Sequence, residues 1–172
     1  MTIDEATNLI KPAVISNEGT WADIGAGSGV FTQALMRILE SGKVFAIDKS
    51  PHMLWNLKST GGVEIEVMEA DFNNPFTLPI LDGVLMANTL HYAHDPIHVL
   101  RNIRQHMKEH ASFILIEYET DVPLPPWNPY PIPFQKCAEL FLQSGFGPPV
   151  IKNTHPSVYN SDHMYVALAF AE

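Results

Sequence analysis

The sequence predicts a doubly wound α/β fold built on a mostly parallel sheet, and three observations carry that prediction. Short all-apolar runs, such as residues 44–47 (VFAI), read as strands covered on both faces. Between them lie stretches with apolar residues at i, i+3, i+4 and i+7, the pattern of one helix face. Each run is followed at once by a polar or flexible residue, and ligands in such folds bind beyond the carboxyl ends of the strands.

Taken in order, residues 20–24 (TWADI) form the first strand, ended by Gly25. Phe31, Ala34, Leu35, Ile38 and Leu39 mark a helix face, with Gly42 placed to terminate it. Residues 44–47 are the second strand. Ser50 and Pro51 give an N-cap followed by proline, opening a helix whose face is Met53, Leu54 and Leu57 and which stops at Gly61 and Gly62. Residues 63–69 (VEIEVME) alternate, so one face is wet and this third strand lies at a sheet edge. Residues 83–87 are a fourth, buried strand. Asp95 and Pro96 repeat the cap signal before a helix with Ile97, Leu100, Ile103 and Met107 inward. Residues 112–116 are the fifth strand, with Glu117 and Tyr118 at its end, and the proline-rich stretch 121–133 is a long loop. Phe134, Cys137, Ala138, Phe141 and Leu142 form another helix, stopped by Gly145. Residues 149–152 and 164–170 pair as an antiparallel hairpin.

Composition narrows the function. The 172 residues are 46% hydrophobic and 17% charged, as expected of one globular domain over residues 1–172 with a short N-terminal segment, 1–19. A net charge of −9 with ten scattered basic residues argues against a nucleic-acid partner. No apolar run reaches the roughly 18 residues of a membrane span. The first residues, MTIDEATNLIKPAV, lack the pattern of a signal peptide. The lone Cys137 excludes an internal disulfide, so a cytoplasmic location is expected.

Residues 22–31 (ADIGAGSGVF) place alternating glycines between the first strand and the first helix face. A dinucleotide turn requires G-x-G-x-x-G, but Val30 follows Gly29 here; no Gly-Lys-Ser/Thr of a phosphate loop is present. A nucleoside without phosphates fits better. Asp48, closing the second strand, is suited to accept both ribose hydroxyls, and Asp71 to accept an adenine amino group, with the glycine turn against an amino-acid tail.

With residues 46–54 (AIDKSPHML), 69–72 (EADF) and 87–96 (ANTLHYAHDP) following ADIGAGSG in order, the chain resembles class I S-adenosylmethionine-dependent methyltransferases. The resemblance is to the small-molecule group that includes the ubiquinone and menaquinone biosynthesis enzymes, and is strong over residues 18–118. It implies a seven-stranded Rossmann-like sheet of order 3-2-1-4-5-7-6 with the last strand antiparallel. It also implies methyl transfer by in-line displacement, with S-adenosylhomocysteine as product. Asp23 would orient the glycine loop and bind the methionine amino group, while Gly25, Ala26 and Gly27 admit the methionine part. Asp48 would hold the ribose diol, Lys49 and Met53 flank ribose and adenine, Asp71 and Phe72 meet the base, and Asn88 contacts the methionine end through its backbone.

The acceptor side is less defined. His91, Tyr92 and Tyr118 sit where an acceptor contact or a base would lie, and His91 is the candidate base for an acceptor that loses a proton early. Trp127, in the proline-rich loop, is expected to help wall the acceptor pocket, because relatives cover theirs with a longer N-terminal segment. A second copy of the chain or a partner subunit is the other candidate for that cover. The histidines at 91, 94 and 98 are interrupted by Pro96 and have no cysteine cluster beside them, so no metal site is expected. Asn128-Pro129-Tyr130 looks like an amino-methylation motif, but it falls after the fifth strand rather than the fourth and reads as loop. The alternatives left are a cofactor-binding, methyltransferase-like subunit or regulator without its own turnover, and a nucleotide-binding oxidoreductase or other Rossmann-type protein. The methyl acceptor itself is not legible.

Overall fold

The computed structural model describes residues 1–157 and 163–172. Among these, seven strands form one sheet of order β3-β2-β1-β4-β5-β7-β6. They are β1 (Glu18–Ile24), β2 (Ser41–Asp48), β3 (Gly62–Glu69), β4 (Leu81–Ala87), β5 (Met107–Tyr118), β6 (Val150–Pro156) and β7 (His163–Phe170). β1 to β5 pair in parallel, and β7 runs antiparallel to both β5 and β6. The alternating strand 63–69 is at the edge, as its half-wet pattern requires.

Successive side chains of the central strands serve two cores. Trp21, Leu85 and Ile114 turn toward α1 (Ile3–Ile10) and α2 (Val30–Ile38). Ala22, Val84 and Phe113 pack in the other core, with residues of α3 (Pro96–Arg104) and α4 (Phe134–Gln143). On that second side Phe113, Phe141 and Phe146 meet edge to face, with centroids 5.0 to 5.2 Å apart. Gly83 lets Trp21 lie flat against β4: a β-carbon there would come within 2.4 Å of the indole ring.

Several boundaries depart from the sequence expectation. Gly42 does not end α2, which stops at Ile38; it lies inside β2, where a β-carbon would meet the Gly19 carbonyl oxygen at 2.0 Å. Close strand approach, not a helix stop, is the reason for that glycine. The expected helix after Ser50 is only a short 3-10 turn, Pro51–Asn56, and Ser50 makes no side-chain cap bond. Met53 is accordingly not a packed helix residue but 63% exposed, while Leu54 is buried. Met107 is not the last turn of α3 but the first residue of β5, where it remains buried. Asp95 does cap α3, accepting the His98 backbone N–H at 3.0 Å.

Candidate functional site

The carboxyl ends of β1, β2, β3 and β4 open onto one cavity of about 790 Å3. Its floor is the glycine turn. Gly25 and Ala26 donate backbone N–H bonds to the Ile47 carbonyl at 2.8 and 2.9 Å, which fastens the turn to the end of β2. Gly27 has φ +55°, and a β-carbon on it would meet nothing within 4 Å, so its backbone lies open to the cavity. Gly25 and Gly29 are different. The space beside Gly25 is filled by Thr89, and that beside Gly29 by Leu57 and Leu54. Thr89 also donates its hydroxyl to the carbonyls of Ala87 (2.9 Å) and Gly25 (3.2 Å), tying β4 to the turn.

Asp48 lines the cavity from the end of β2. Its two carboxylate oxygens accept backbone N–H bonds from Gly27 (2.8 Å) and Ser50 (2.9 Å), which hold it in one orientation. Lys49 is exposed and lines the same cavity. Asp71 lines it from the β3 side, with one oxygen fixed by the Asn73 backbone and side-chain nitrogens, both at 3.0 Å. Phe72, half-buried against the core, and Asn88, just beyond β4, complete this part of the lining.

Asp23 lies beneath the turn rather than in the cavity. It is buried, accepts the Thr32 hydroxyl at 2.6 Å, and is absent from the lining. Burial pushes its pKa up to about 7 against the Thr32 hydrogen bond, with the Asp48 charge adding to the rise. Met53 does not reach the cavity lining, because the 3-10 turn leaves its side chain in solvent.

Beyond the end of β4, Tyr92 lines the cavity while His91 does not. His91 is buried on the short turn Leu90–Tyr92, and Glu117, also buried, grips it twice. One carboxylate oxygen lies 2.7 Å from His91 Nδ1, and the other accepts its backbone N–H at 3.1 Å. His91 Nε2 is buried with no hydrogen-bond partner. The ring packs at 4.4 Å from Tyr92 and 6.1 Å from Tyr118. Burial, and then the charge of Glu117, raise the Tyr92 hydroxyl above its ordinary range.

Trp127 departs most from expectation: it is 70% exposed and does not line the cavity. A tight turn explains this, with Leu124 and Asn128 exchanging backbone bonds at 2.9 Å across two prolines. The proline-rich loop instead touches the site through Tyr130, whose N–H donates to the His91 carbonyl at 3.1 Å and whose ring meets His94 edge-on. Among the described residues, no group of three His, Cys, Asp or Glu side chains is placed to hold a metal ion.

Thr89 and the apolar wall of Val30, Phe31 and Ala87 are lining residues that sequence reasoning does not find. Nothing in the type of the apolar three separates them from core. Glu117 is visible in the sequence only as a strand end; its pairing with His91 spans 26 residues and exists only once β4 and β5 are adjacent.

Residues 22–115 match the family model described as a methyltransferase domain. The chain is 23% identical over 171 residues to 2-methyl-6-phytyl-1,4-hydroquinone methyltransferase 1, chloroplastic, of Oryza sativa subsp. japonica, covering 92% of this chain and 50% of that protein. It is 25% identical to its Arabidopsis thaliana counterpart, covering 92% and 49%. The chain thus spans about half the length of these curated relatives. Among solved structures, Burkholderia thailandensis 1,6-didemethyltoxoflavin-N1-methyltransferase, with bound 1,6-didemethyltoxoflavin and S-adenosylhomocysteine, superposes with a TM-score of 0.78. That match has 21% identity and covers 98% of this chain and 77% of the other. Human N-acetylserotonin methyltransferase, in complex with S-adenosylmethionine, gives 0.72 at 19% identity, covering 97% and 51%.

Proposed function

Because the chain belongs to the methyltransferase domain family that its residues 22–115 match, we propose that it transfers a methyl group from S-adenosylmethionine to a small-molecule acceptor. The observation that carries this reading is the open backbone at Gly27 beside the fixed Asp48 carboxylate, in one cavity with Asp71. A nucleoside with an amino-acid tail fits that donor set: a diol for the carboxylate, an amino group for Asp71, and room for the tail over the glycine turn. The Gly-x-Gly-x-x-Gly turn that a pyrophosphate calls for is not there, since Val30 follows Gly29.

When bound, S-adenosylmethionine would supply a methyl already activated on a sulfonium. The chain's own work is to bind and orient. Asp48 and Asp71 fix the nucleoside. Asp23, below the turn, offers a carboxylate whose ionised form a nearby ammonium favours. Val30, Phe31 and Tyr92 keep water from the reacting end. His91, which Glu117 holds outside the lining, is proposed to receive the acceptor's proton by way of the neighbouring Tyr92 where that proton must leave.

Calorimetric titration with S-adenosylhomocysteine and, separately, NAD tests the reading: the first is expected to bind, and Asp48→Ala to remove that binding. Labelled S-adenosylmethionine incubated with a metabolite pool then separates an active enzyme from a cofactor-binding subunit. Binding of NAD in preference would overturn the proposal. A cytoplasmic site of action is the companion proposal, supported by the buried Cys137 thiol. Cover of the cleft by a second copy is another, supported by the exposed Val122, Leu124 and Trp127.

A further inference from the structure

Residues 122–135 (VPLPPWNPYPIPFQ) contain no Asp, Glu, Lys, Arg or His, in a chain that is 17% charged. The tip of this loop is apolar and in solvent: Val122 is 67% exposed, Leu124 44% and Trp127 70%. Between Val122 and Tyr130 the one amide side chain, Asn128, is buried.

The backbone of the tip asks equally little of water. Pro123, Pro125, Pro126 and Pro129 have no N–H to satisfy. Each remaining N–H from Val122 to Tyr130 is already bonded. Val122 donates to the Thr120 hydroxyl at 3.2 Å and Leu124 to the Asn128 carbonyl at 2.9 Å. Trp127 and Asn128 donate to the Leu124 carbonyl at 2.8 and 2.9 Å, and Tyr130 to the His91 carbonyl at 3.1 Å. Donors left to water would carry a penalty on leaving it unpaired, and here that penalty is absent. The base of the loop is fixed as well, because Glu119 accepts the Phe134 N–H at 3.1 Å and the Pro131 carbonyl accepts from Lys136 Nζ at 2.8 Å.

We propose that this tip is a docking surface for an electrically neutral lipid bilayer, with Val122, Leu124 and Trp127 seated among the headgroups. A protein partner is fastened by about one hydrogen bond per 100–200 Å2 as well as by apolar area, and the tip offers it neither charge nor a free backbone donor. A bilayer interface needs neither: tryptophan and aliphatic side chains partition there by their apolar area, and a backbone with its donors paired enters without loss. Charge sets the lipid class. Glu119 and Asp121 flank the tip, the chain carries −9, and Lys136, the next basic residue along the chain, is engaged, so an anionic surface is repelled. The loop leaves β5 at the sheet end onto which the cavity opens, and Tyr130 ties it to His91, so docking turns the cleft side of the chain to the bilayer. A second copy covering the cleft would use the same three side chains, so copy and bilayer exclude one another.

Sedimentation of the full chain with phosphatidylcholine vesicles tests this. It needs no cofactor, so its outcome is separate from that of the methyl-transfer reading. Binding is expected below about 10 mM lipid, a range that detects affinity about a hundredfold weaker than one myristoyl chain provides. Trp127→Ala and, independently, Leu124→Asp should each weaken it about tenfold or more, with melting curves establishing that both variants are folded. In Trp55→Phe, Trp127 is the one tryptophan left in solvent, since Trp21 is buried. Vesicles of brominated phosphatidylcholine should quench its fluorescence. Absence of binding, an unquenched Trp127, or binding that survives either substitution overturns the proposal. Tighter binding to vesicles containing phosphatidylglycerol does the same, because basic residues elsewhere would then hold the lipid. So does a dimer by analytical ultracentrifugation that Trp127→Ala dissociates while vesicles leave it intact, which would give the tip to a second copy.

Discussion

Thr89 occupies the space in front of Gly25 so closely that a β-carbon on the glycine would lie 2.1 Å from Thr89 Cγ2. The glycine turn after β1 and the residues after β4 are thus locked together by a steric fit and by the Thr89 hydroxyl. Two glycines of one motif therefore have separate causes: Gly25 admits a neighbour, and Gly27 leaves room for a ligand.

That difference is measurable. Gly25→Ala is expected to destabilise the fold by about 3 kcal/mol, from overpacking and a positive φ. Adding Thr89→Gly should recover part of it, leaving the residual strain of about 1 kcal/mol. A urea-denaturation double-mutant cycle showing no coupling would contradict the fit. Gly27→Ala should cost only the conformational strain, again about 1 kcal/mol, yet weaken S-adenosylhomocysteine binding at least tenfold by calorimetry.

Asp23 sets a pH dependence. Its folded pKa of about 7 stands above the ordinary 3.8, so the folded chain holds a proton that the unfolded chain releases. The stability this contributes is complete below about pH 4 and is lost as pH rises through 7, a change on the order of 4 kcal/mol. Asp23→Asn should flatten that part of the profile when urea midpoints are compared at pH 5 and pH 8. Ligand binding runs the other way: an ammonium favours the ionised carboxylate, so S-adenosylhomocysteine should bind more tightly at pH 8 than at pH 6, and less so in Asp23→Asn.

Glu117 and His91 form a buried polar pair beside the lining residue Tyr92. Glu117→Ala leaves two donors of His91 without a partner and is expected to cost about 3 kcal/mol or more. Glu117→Gln keeps an acceptor for one of them and should fold better. If His91 receives a proton from the acceptor, Glu117→Gln lowers kcat and shifts its pH profile while leaving S-adenosylhomocysteine affinity within about threefold. Steady-state kinetics over pH 6–9 makes that comparison.

Trp127→Ala is expected to leave the melting temperature within about 2 °C, because the side chain is 70% exposed. Acceptor KM should also stay unchanged, since the residue is outside the cavity lining. A rise in KM at constant kcat would place the loop tip over the acceptor.

The sequence by itself determined the sheet class, the edge position of strand 63–69 and the five furnished strand ends, because apolar periodicity and turn chemistry are local. That Asp48, Asp71 and the glycine turn line the cavity was legible for the same reason: each sits at or just past a strand end, where this topology places its ligands. Only the tertiary structure decided what each glycine is for. The space beside Gly25, Gly29 and Gly42 is set by Thr89, Leu57 and the Gly19 carbonyl, residues separated from them by up to 64 positions along the chain. It also decided that Asp23 lies below the site, that Trp127 lies outside the lining and that Glu117 holds His91. Burial and pairing across strands depend on which elements become neighbours, and residue type along the chain does not encode that.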